Sequence, residues 1–135
     1  MIRIAVVGDI GSGKSHIAKQ FGFPVFNADV EVATLYRKSR KYYNKLKRAL
    51  PKHVTSFPVK KNDILIFVDA EKKEINKRLR KRFKNNKNII KKFRKLQLPI
   101  EFKKKISDFS IKNNFNNNST KKNVKKVLKE ILFYA

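Results

Sequence analysis

The stretch IAVVGDIGSGKSHIAKQF, from Ile4 to Phe21, combines an apolar run, a glycine-rich turn and the start of a helix. It contains three of the four glycines in the chain. The apolar run begins at Ile2 and is rich in β-branched residues, which favours a strand covered on both faces, as in parallel sheets. The turn separates this strand from a helix that we expect from Lys14 to Phe21. A strand, a turn and a helix in this order predict the first unit of a parallel α/β fold.

The turn also satisfies a specific pattern, G-x-x-x-x-G-K-[ST], between a strand and a helix. Glycines allow the backbone to wrap with its N–H groups pointing inward at a phosphate, and the helix start adds partial positive charge. The lysine reaches the β and γ phosphates, and the hydroxyl that follows ligates Mg²⁺. The sequence therefore predicts a nucleotide-phosphate loop with Mg²⁺ as its metal, formed by Gly8, Gly11, Ser12, Gly13, Lys14 and Ser15.

Length and composition restrict the class of protein. The chain has 135 residues, which indicates a single domain, and it has no cysteine, so neither disulfides nor thiolate zinc sites are available. No apolar run is long enough for a membrane span, and the residues after Met1 show no secretory pattern. We therefore expect a cytoplasmic protein with no membrane partner.

Positive charge is the dominant feature of the composition: 35 Lys and Arg face 10 Asp and Glu, a formal net charge of +25. Such an excess attracts polyanions regardless of their sequence. Most of it lies after residue 30, in runs of Lys and Asn that equally suit solvated faces. Because no RNA-recognition signature accompanies these runs, we expect no specific nucleic-acid partner. A basic nucleic-acid-binding protein is the alternative interpretation.

Further strands and helices alternate along the rest of the chain. Three more strands are expected, one ending at Asp29 within Gly22–Asp29, one over Asp63–Ala70 and one over Asp108–Asn113. The segment Pro51–Asn62 reads as a loop or linker. The closing helix is expected to be capped by Ser119 or Asn118. Helices are expected over Val30–Leu50, Glu71–Phe83, a stretch around Ile89–Leu96, Pro99–Ile106 and Ser119–Leu132. The alternation predicts a four-stranded parallel sheet with right-handed crossovers.

Several polar residues outside the turn are candidates for chemistry. Asp29 follows the second predicted strand, where a carboxylate can accept a proton from an attacking hydroxyl or simply cap the next helix. Asp69 ends an apolar strand, as a Mg²⁺ ligand does, but so does any buried strand before a turn. His16 and His53 lack acidic or histidine neighbours at metal-ligand spacing. Three arginines are candidates for a lid over phosphates or for ordinary surface positions: Arg78, Arg80 and Arg82.

Three separated stretches together resemble the dephospho-CoA kinase family. GDIGSGKSHIAKQF is similar to its GGIGSGKS loop, with Asp9 in place of the second glycine, and FPVFNADVEV resembles its second segment, which retains Asp29. The third and longest match is ILIFVDAEKKEINKRLRKR followed by LQLPIEFKKKISDFSIKNN. The positions in register in that run are Gln97, Pro99, Glu101, Lys103, Asp108, Ile111 and Asn113. The match covers nearly all of the chain in order, and its last run is more specific than the glycine turn.

The resemblance implies transfer of the γ-phosphoryl group of ATP to the ribose 3′-hydroxyl of dephospho-CoA, so the substrates would be ATP and dephospho-CoA. The residues from Gly11 to His16 would hold ATP, Asp29 would be the catalytic base, and Asn113 would lie near the adenine. Lys14, Arg78 and Arg82 would act on the phosphates, the two arginines from a lid. Asp69 would be the end of a later strand rather than a Mg²⁺ ligand. The implied architecture is a three-layer P-loop NTP hydrolase-like α/β fold over residues 1–135.

The chain departs from the family in its middle. Members of the family are longer, and the part expected between Leu50 and Asp63, a strand and a helical subdomain that embraces the acceptor, is missing near residues 51–63. That strand would lie between the first two, so its absence leaves unpaired backbone groups. Either the second strand shifts to pair with the first, or another chain fills the gap and forms an oligomer, or the sheet is damaged. An ATP-binding remnant without catalysis is therefore the alternative to an active kinase.

Overall fold

The computed structural model describes residues 2–26 and 63–134. These residues form a three-stranded parallel sheet of order β1–β2–β3, with β1 over Arg3–Gly8, β2 over Asp63–Ala70 and β3 over Phe109–Asn113. The prediction of a parallel α/β fold is confirmed. The bounds expected for β2 agree with the structure, and β3 begins one residue later than expected.

Five helices connect and cover the described strands: α1 over Lys14–Gln20, α2 over Lys72–Arg82, α3 over Lys87–Lys95, α4 over Ile100–Ile106 and α5 over Asn117–Tyr134. The predicted cap of α5 is wrong, because α5 begins before Asn118. The side-chain oxygen of Asn116 instead accepts hydrogen bonds from the backbone N–H groups of Asn118 and Ser119, at 3.1 and 3.2 Å. This asparagine satisfies N–H groups that the first helical turn leaves without partners.

The register of the sheet brings three strand ends to one edge. Gly8 of β1 lies opposite Val68 of β2, and Ala70 of β2 lies opposite Asn113 of β3. At the other end of the sheet, the guanidinium of Arg3 donates two hydrogen bonds of 2.7 Å to the carboxylate of Asp63, its register partner. The chain segments that follow the strands therefore meet at the carboxyl edge.

The apolar core lies around β2, whose residues from Leu65 to Val68 are all buried. Successive residues of a strand point to opposite faces, so both faces of β2 are covered, as the apolar runs predict. The main cluster packs α1 and α5 against the sheet through Ile17, Phe21, Ile66, Val68, Ile111, Val124, Val127 and Ile131. A second cluster joins α2 and α3 through Ile75, Leu79 and Ile90, with Ile10, Ala70 and Phe83 packed against it.

Several expectations fall wholly or partly outside the described residues. Of the predicted second strand, residues 22–26 are described and are not part of the sheet, and Asp29 lies outside. The predicted helix over Val30–Leu50, the linker and His53 also lie outside. Within the described ranges, β1 pairs with β2 alone, and no helix is long and apolar enough to cross a membrane.

Candidate functional site

The segment from Gly8 to Ser15, called the glycine loop below, leaves the sheet at its carboxyl edge. It runs from the last residue of β1 to the first turn of α1. The backbone carbonyl of Asp9 accepts a hydrogen bond of 3.2 Å from the N–H of Ser12, which closes the turn. The loop thus lies beside the ends of β2 and β3.

Two glycines of the loop adopt backbone conformations that L-residues rarely adopt. Gly11 has φ 78° and Gly13 has φ 88°, both in the left-handed region. A Cβ atom on Gly11 would lie 3.0 Å from Cδ2 of Leu79, and one on Gly13 would clash with the side-chain nitrogen of Asn113. The pattern of glycines therefore follows from both the turn and its close neighbours.

Lys14 folds back over the loop that precedes it. Its ammonium nitrogen Nζ donates a hydrogen bond of 2.7 Å to the backbone carbonyl oxygen of Asp9. Gly13 is the N-cap residue of α1 and, having no side chain, makes no side-chain cap bond. The two neighbouring candidates on α1, Ser15 and His16, are exposed, and Nε2 of His16 lies 2.8 Å from Nε2 of Gln20. The loop therefore combines a cation, an exposed hydroxyl and a helix start without a side-chain cap.

Asp9 places a buried carboxylate in the loop, where it is only 6% exposed. Its Oδ1 accepts a hydrogen bond of 2.7 Å from the N–H of Ile10, and its Oδ2 lies 3.7 Å from the guanidinium of Arg94. Arg94 is oriented by a 2.9 Å hydrogen bond to the side-chain oxygen of Asn76. Sequence reasoning missed Arg94, because its partner is far away in the chain.

Lys103 lies against the loop from α4. Its Nζ donates hydrogen bonds to the carbonyl oxygen of Gly8, at 3.2 Å, and to Oε1 of Gln97, at 3.0 Å. Burial lowers the pKa of Lys103, and the negative charge of Asp9 acts in the opposite direction. Gln97 and Lys103 both belong to the stretch of sequence that resembles the dephospho-CoA kinase family. The structure brings them together, hydrogen-bonded to each other, beside the end of β1.

Asn113 fastens β3 to the glycine loop. It is 2% exposed, and its side-chain nitrogen donates a hydrogen bond of 2.8 Å to the carbonyl oxygen of Ser12. Its side-chain oxygen accepts a hydrogen bond of 3.0 Å from the N–H of Phe115. Asn113 thus lies behind the loop and orders it; a contact with an adenine stays a prediction.

The three candidate lid arginines are on α2, and one of them, Arg80, is exposed. The guanidinium carbon of Arg78 lies 4.3 Å from the centre of the Phe115 ring, which is a cation–π contact. Arg82 is the last residue of α2 and is exposed. The structure therefore brings Arg78 close to the loop through Phe115, a residue that sequence reasoning missed.

A cavity of about 140 Å³ lies beside the loop at the end of β2. Its wall includes three carboxylates, those of Asp9, Asp69 and Glu101, together with Lys72 and Lys104. In the ranges 2–26 and 63–134, no group of three or more acidic, histidine or cysteine side chains could hold a metal ion by itself.

Comparison with known proteins gives a likeness in fold. No family model matches the chain, and no curated protein matches its sequence. A solved structure, described as "Crystal structure of TT1252 from Thermus thermophilus", matches with a TM-score of 0.65 and 19% sequence identity. The match covers 98% of this chain and 97% of that one. At this identity the likeness shows the fold alone: a parallel α/β fold that is compatible with nucleotide binding.

Proposed function

We propose that the glycine loop binds the β and γ phosphates of ATP. The observation that carries this proposal is the loop itself, in which Gly11 and Gly13 take left-handed conformations and the Lys14 ammonium lies over the turn. Successive backbone N–H groups in such a turn form a concave anion site. A phosphate in the loop would replace the Asp9 carbonyl as the partner of Lys14, a stronger bond because both groups are charged.

The residues of the loop also suit Mg²⁺ held together with a nucleotide. Mg²⁺ is bound in such sites by one or two protein oxygens, water and substrate phosphates. Ser15 supplies an exposed hydroxyl one residue after Lys14. When bound, the ion neutralises charge that develops on the transferred phosphoryl group.

For the reaction, we propose transfer of the γ-phosphoryl group to the 3′-hydroxyl of dephospho-CoA. The new bond joins the hydroxyl oxygen to the γ-phosphorus, the bond from that phosphorus to the β,γ-bridging oxygen breaks, and ADP leaves. Lys14 and Arg78 would stabilise charge on the phosphates, with Arg82 as a second lid arginine. Asp29 would accept the proton of the hydroxyl. The acceptor is supported by the ordered resemblance along the sequence, above all the run that contains Gln97, Lys103 and Asn113.

The reaction can be tested with purified protein, ATP, Mg²⁺ and dephospho-CoA. We expect ADP and coenzyme A in equal amounts, and loss of both products in Lys14→Ala. Lys19→Ala is the matched control, because Lys19 lies in the last turn of the same helix and is exposed. Formation of no coenzyme A by a folded sample would refute the transfer activity.

The second candidate is an ATP-binding protein without transfer. The observation that favours it is the short middle of the chain, which lacks the part that binds the acceptor in the family it resembles. Calorimetry distinguishes the two functions. Saturable binding of both ATP and dephospho-CoA supports the kinase, whereas binding of ATP alone supports the second candidate.

A further inference from the structure

Phe115 has a strained backbone next to the glycine loop. Its φ is 61°, in the left-handed region that bulky L-residues avoid. The other described non-glycine residues with positive φ are Lys84 and Asn85, in the turn between α2 and α3. Strain of this kind persists only where surrounding contacts hold it, and such residues cluster at functional sites.

The contacts that hold Phe115 come from the loop side of the fold. Its N–H donates a hydrogen bond of 3.0 Å to the side-chain oxygen of Asn113, whose side-chain nitrogen is in turn bonded to the carbonyl oxygen of Ser12 at 2.8 Å. The next turn is closed by Asn114, whose side-chain oxygen accepts a hydrogen bond of 3.0 Å from the N–H of Asn116. The strained conformation is thus tied to the loop through a buried amide.

The strain places the Phe115 ring between the loop and α2. Its Cε1 lies 3.6 Å from the position that a Cβ of Gly13 would occupy, so the ring edge faces the start of α1. The guanidinium of Arg78 lies against the ring, 4.3 Å from its centre. Within residues 2–26 and 63–134, Arg78 makes this ring contact and forms no ion pair with a carboxylate. An exposed arginine is therefore held beside the loop by an aromatic ring.

We propose that Phe115 is a positioning residue, which keeps the Arg78 guanidinium beside the glycine loop so that it is ready to meet a phosphate. The inference rests on the proposed function, since it takes the ligand of the loop to be a nucleotide phosphate. A guanidinium held in place loses less conformational freedom when the ligand binds, and this improves affinity. A substitution that removes the Phe115 ring leaves the charge of Arg78 in place but no longer holds its guanidinium beside the loop.

Calorimetry with two probes, ATP and inorganic tripolyphosphate, tests the inference. Phe115→Gly and Phe115→Asn both accept positive φ and remove the ring. We expect each to bind both probes about two- to tenfold more weakly than the wild type, the cost of ordering one long side chain when the ligand binds. Phe115→Tyr retains a ring and should bind as the wild type does. Phe133→Asn is the matched control, because Phe133 is 83% exposed near the end of α5.

A double-mutant cycle with Arg78→Ala tests whether Phe115 affects phosphate binding through Arg78. If Phe115 acts through Arg78, Phe115→Gly causes no further loss of affinity in the Arg78→Ala background. The inference would be overturned if Phe115→Gly weakened binding by the same factor in the wild-type and in the Arg78→Ala background. A loss for ATP but not for tripolyphosphate would overturn it as well, because the ring would then act on the nucleobase.

A spectroscopic measurement separates this inference from the proposed function. The NMR signal of the Arg78 side-chain N–H should carry a ring-current shift that disappears in Phe115→Gly and persists in Phe115→Tyr. A wild type that binds neither probe but shows this shift would refute the proposed function and support the placement of Arg78. An unchanged shift in Phe115→Gly would refute the placement itself.

Discussion

The side-chain nitrogen of Asn113 donates a hydrogen bond of 2.8 Å to the carbonyl oxygen of Ser12, which joins the end of β3 to the glycine loop. Both residues are fully buried, so no water replaces this bond when it is lost. A buried acceptor left without a donor destabilises a protein by about 1–3 kcal/mol. The geometry of the loop therefore depends on a residue at the far side of the sheet.

Asn113→Asp is expected to weaken this connection strongly. An ionised carboxylate has the shape of the amide but cannot donate, and it would face the Ser12 carbonyl in a buried position. We expect a loss of about 3 kcal/mol in the free energy of unfolding, measured with urea, and weaker binding of ATP. The control is Asn114→Asp: the exposed Asn114 accepts the N–H of Asn116 through its side-chain oxygen, which Asp retains. Its side-chain nitrogen donates only an exposed 3.3 Å bond to the Ser119 hydroxyl, which can rotate to donate to a carboxylate instead. Equal stability of the two variants would contradict this reading of Asn113.

A comparison of Gly13→Ala with Gly22→Ala separates the effect of the close contact at Gly13 from the effect of backbone strain alone. An added methyl group would meet both a φ of 88° and the Asn113 side chain, whereas Gly22, at φ 75°, has nothing within 4 Å of its Cβ position. We expect Gly22→Ala to lower the free energy of unfolding by about 1–2 kcal/mol, the cost of the left-handed conformation. Gly13→Ala should lose about 1–3 kcal/mol more, the cost of overpacking, and should bind ATP poorly. Urea unfolding of both variants measures the difference, and equal losses would show that the methyl group fits.

Much of the fold can be predicted from local sequence patterns. The apolar run before Gly8 and the run Asp63–Ala70 have clear boundaries, and the structure places a strand at each of them. The glycine spacing predicts the turn that separates β1 from α1. The N-cap residue of α5 was harder to predict, because the run from Asn113 to Asn118 contains several asparagines that could each cap a helix. Tertiary contacts decide that Asn113 serves the loop and Asn116 serves the helix.

The contacts around the loop could not be predicted in the same way. Arg94, Lys103 and Asn113 reach the loop from three different elements, and the bond from Asn113 to Ser12 spans 101 residues of sequence. Nothing in local composition distinguishes these side chains from the many other Lys, Arg and Asn residues of the chain. Their positions follow from the register of β2 and β3 and from the packing of α3 and α4.

The dependence of the free energy of unfolding on pH in the alkaline range should reveal the burial of Lys103. Because its pKa is lowered in the folded state, the unfolded chain binds more protons in the window between the folded pKa and the ordinary lysine value of about 10.4. The unfavourable effect of burying this charge is therefore fully present below the folded pKa and is relieved as the pH rises through it. The free energy of unfolding, measured from pH 7 to 10, should rise relative to that of Lys103→Met.

The matched variant for this experiment is Lys104→Met, at the adjacent exposed position. It removes one positive charge from the same helix and so corrects for the change in net charge. The difference in stability between wild type and Lys104→Met should change less with pH than the difference between wild type and Lys103→Met. The same pH dependence for both variants would contradict the desolvation of Lys103.

Asp9→Asn tests whether the buried carboxylate of the loop opposes phosphate binding. The amide oxygen can still accept the hydrogen bond from Ile10, while the negative charge beside the proposed phosphate site is lost. Arg94 would lose its ion pair at little cost, because its side chain is 40% exposed. We expect ATP to bind about fivefold more tightly, on the order of 1 kcal/mol at the screening typical of protein surfaces. Calorimetry at low and high salt should show a smaller gain at high salt, and weaker binding by Asp9→Asn would mean that Asp9 organises the loop more than it repels the ligand.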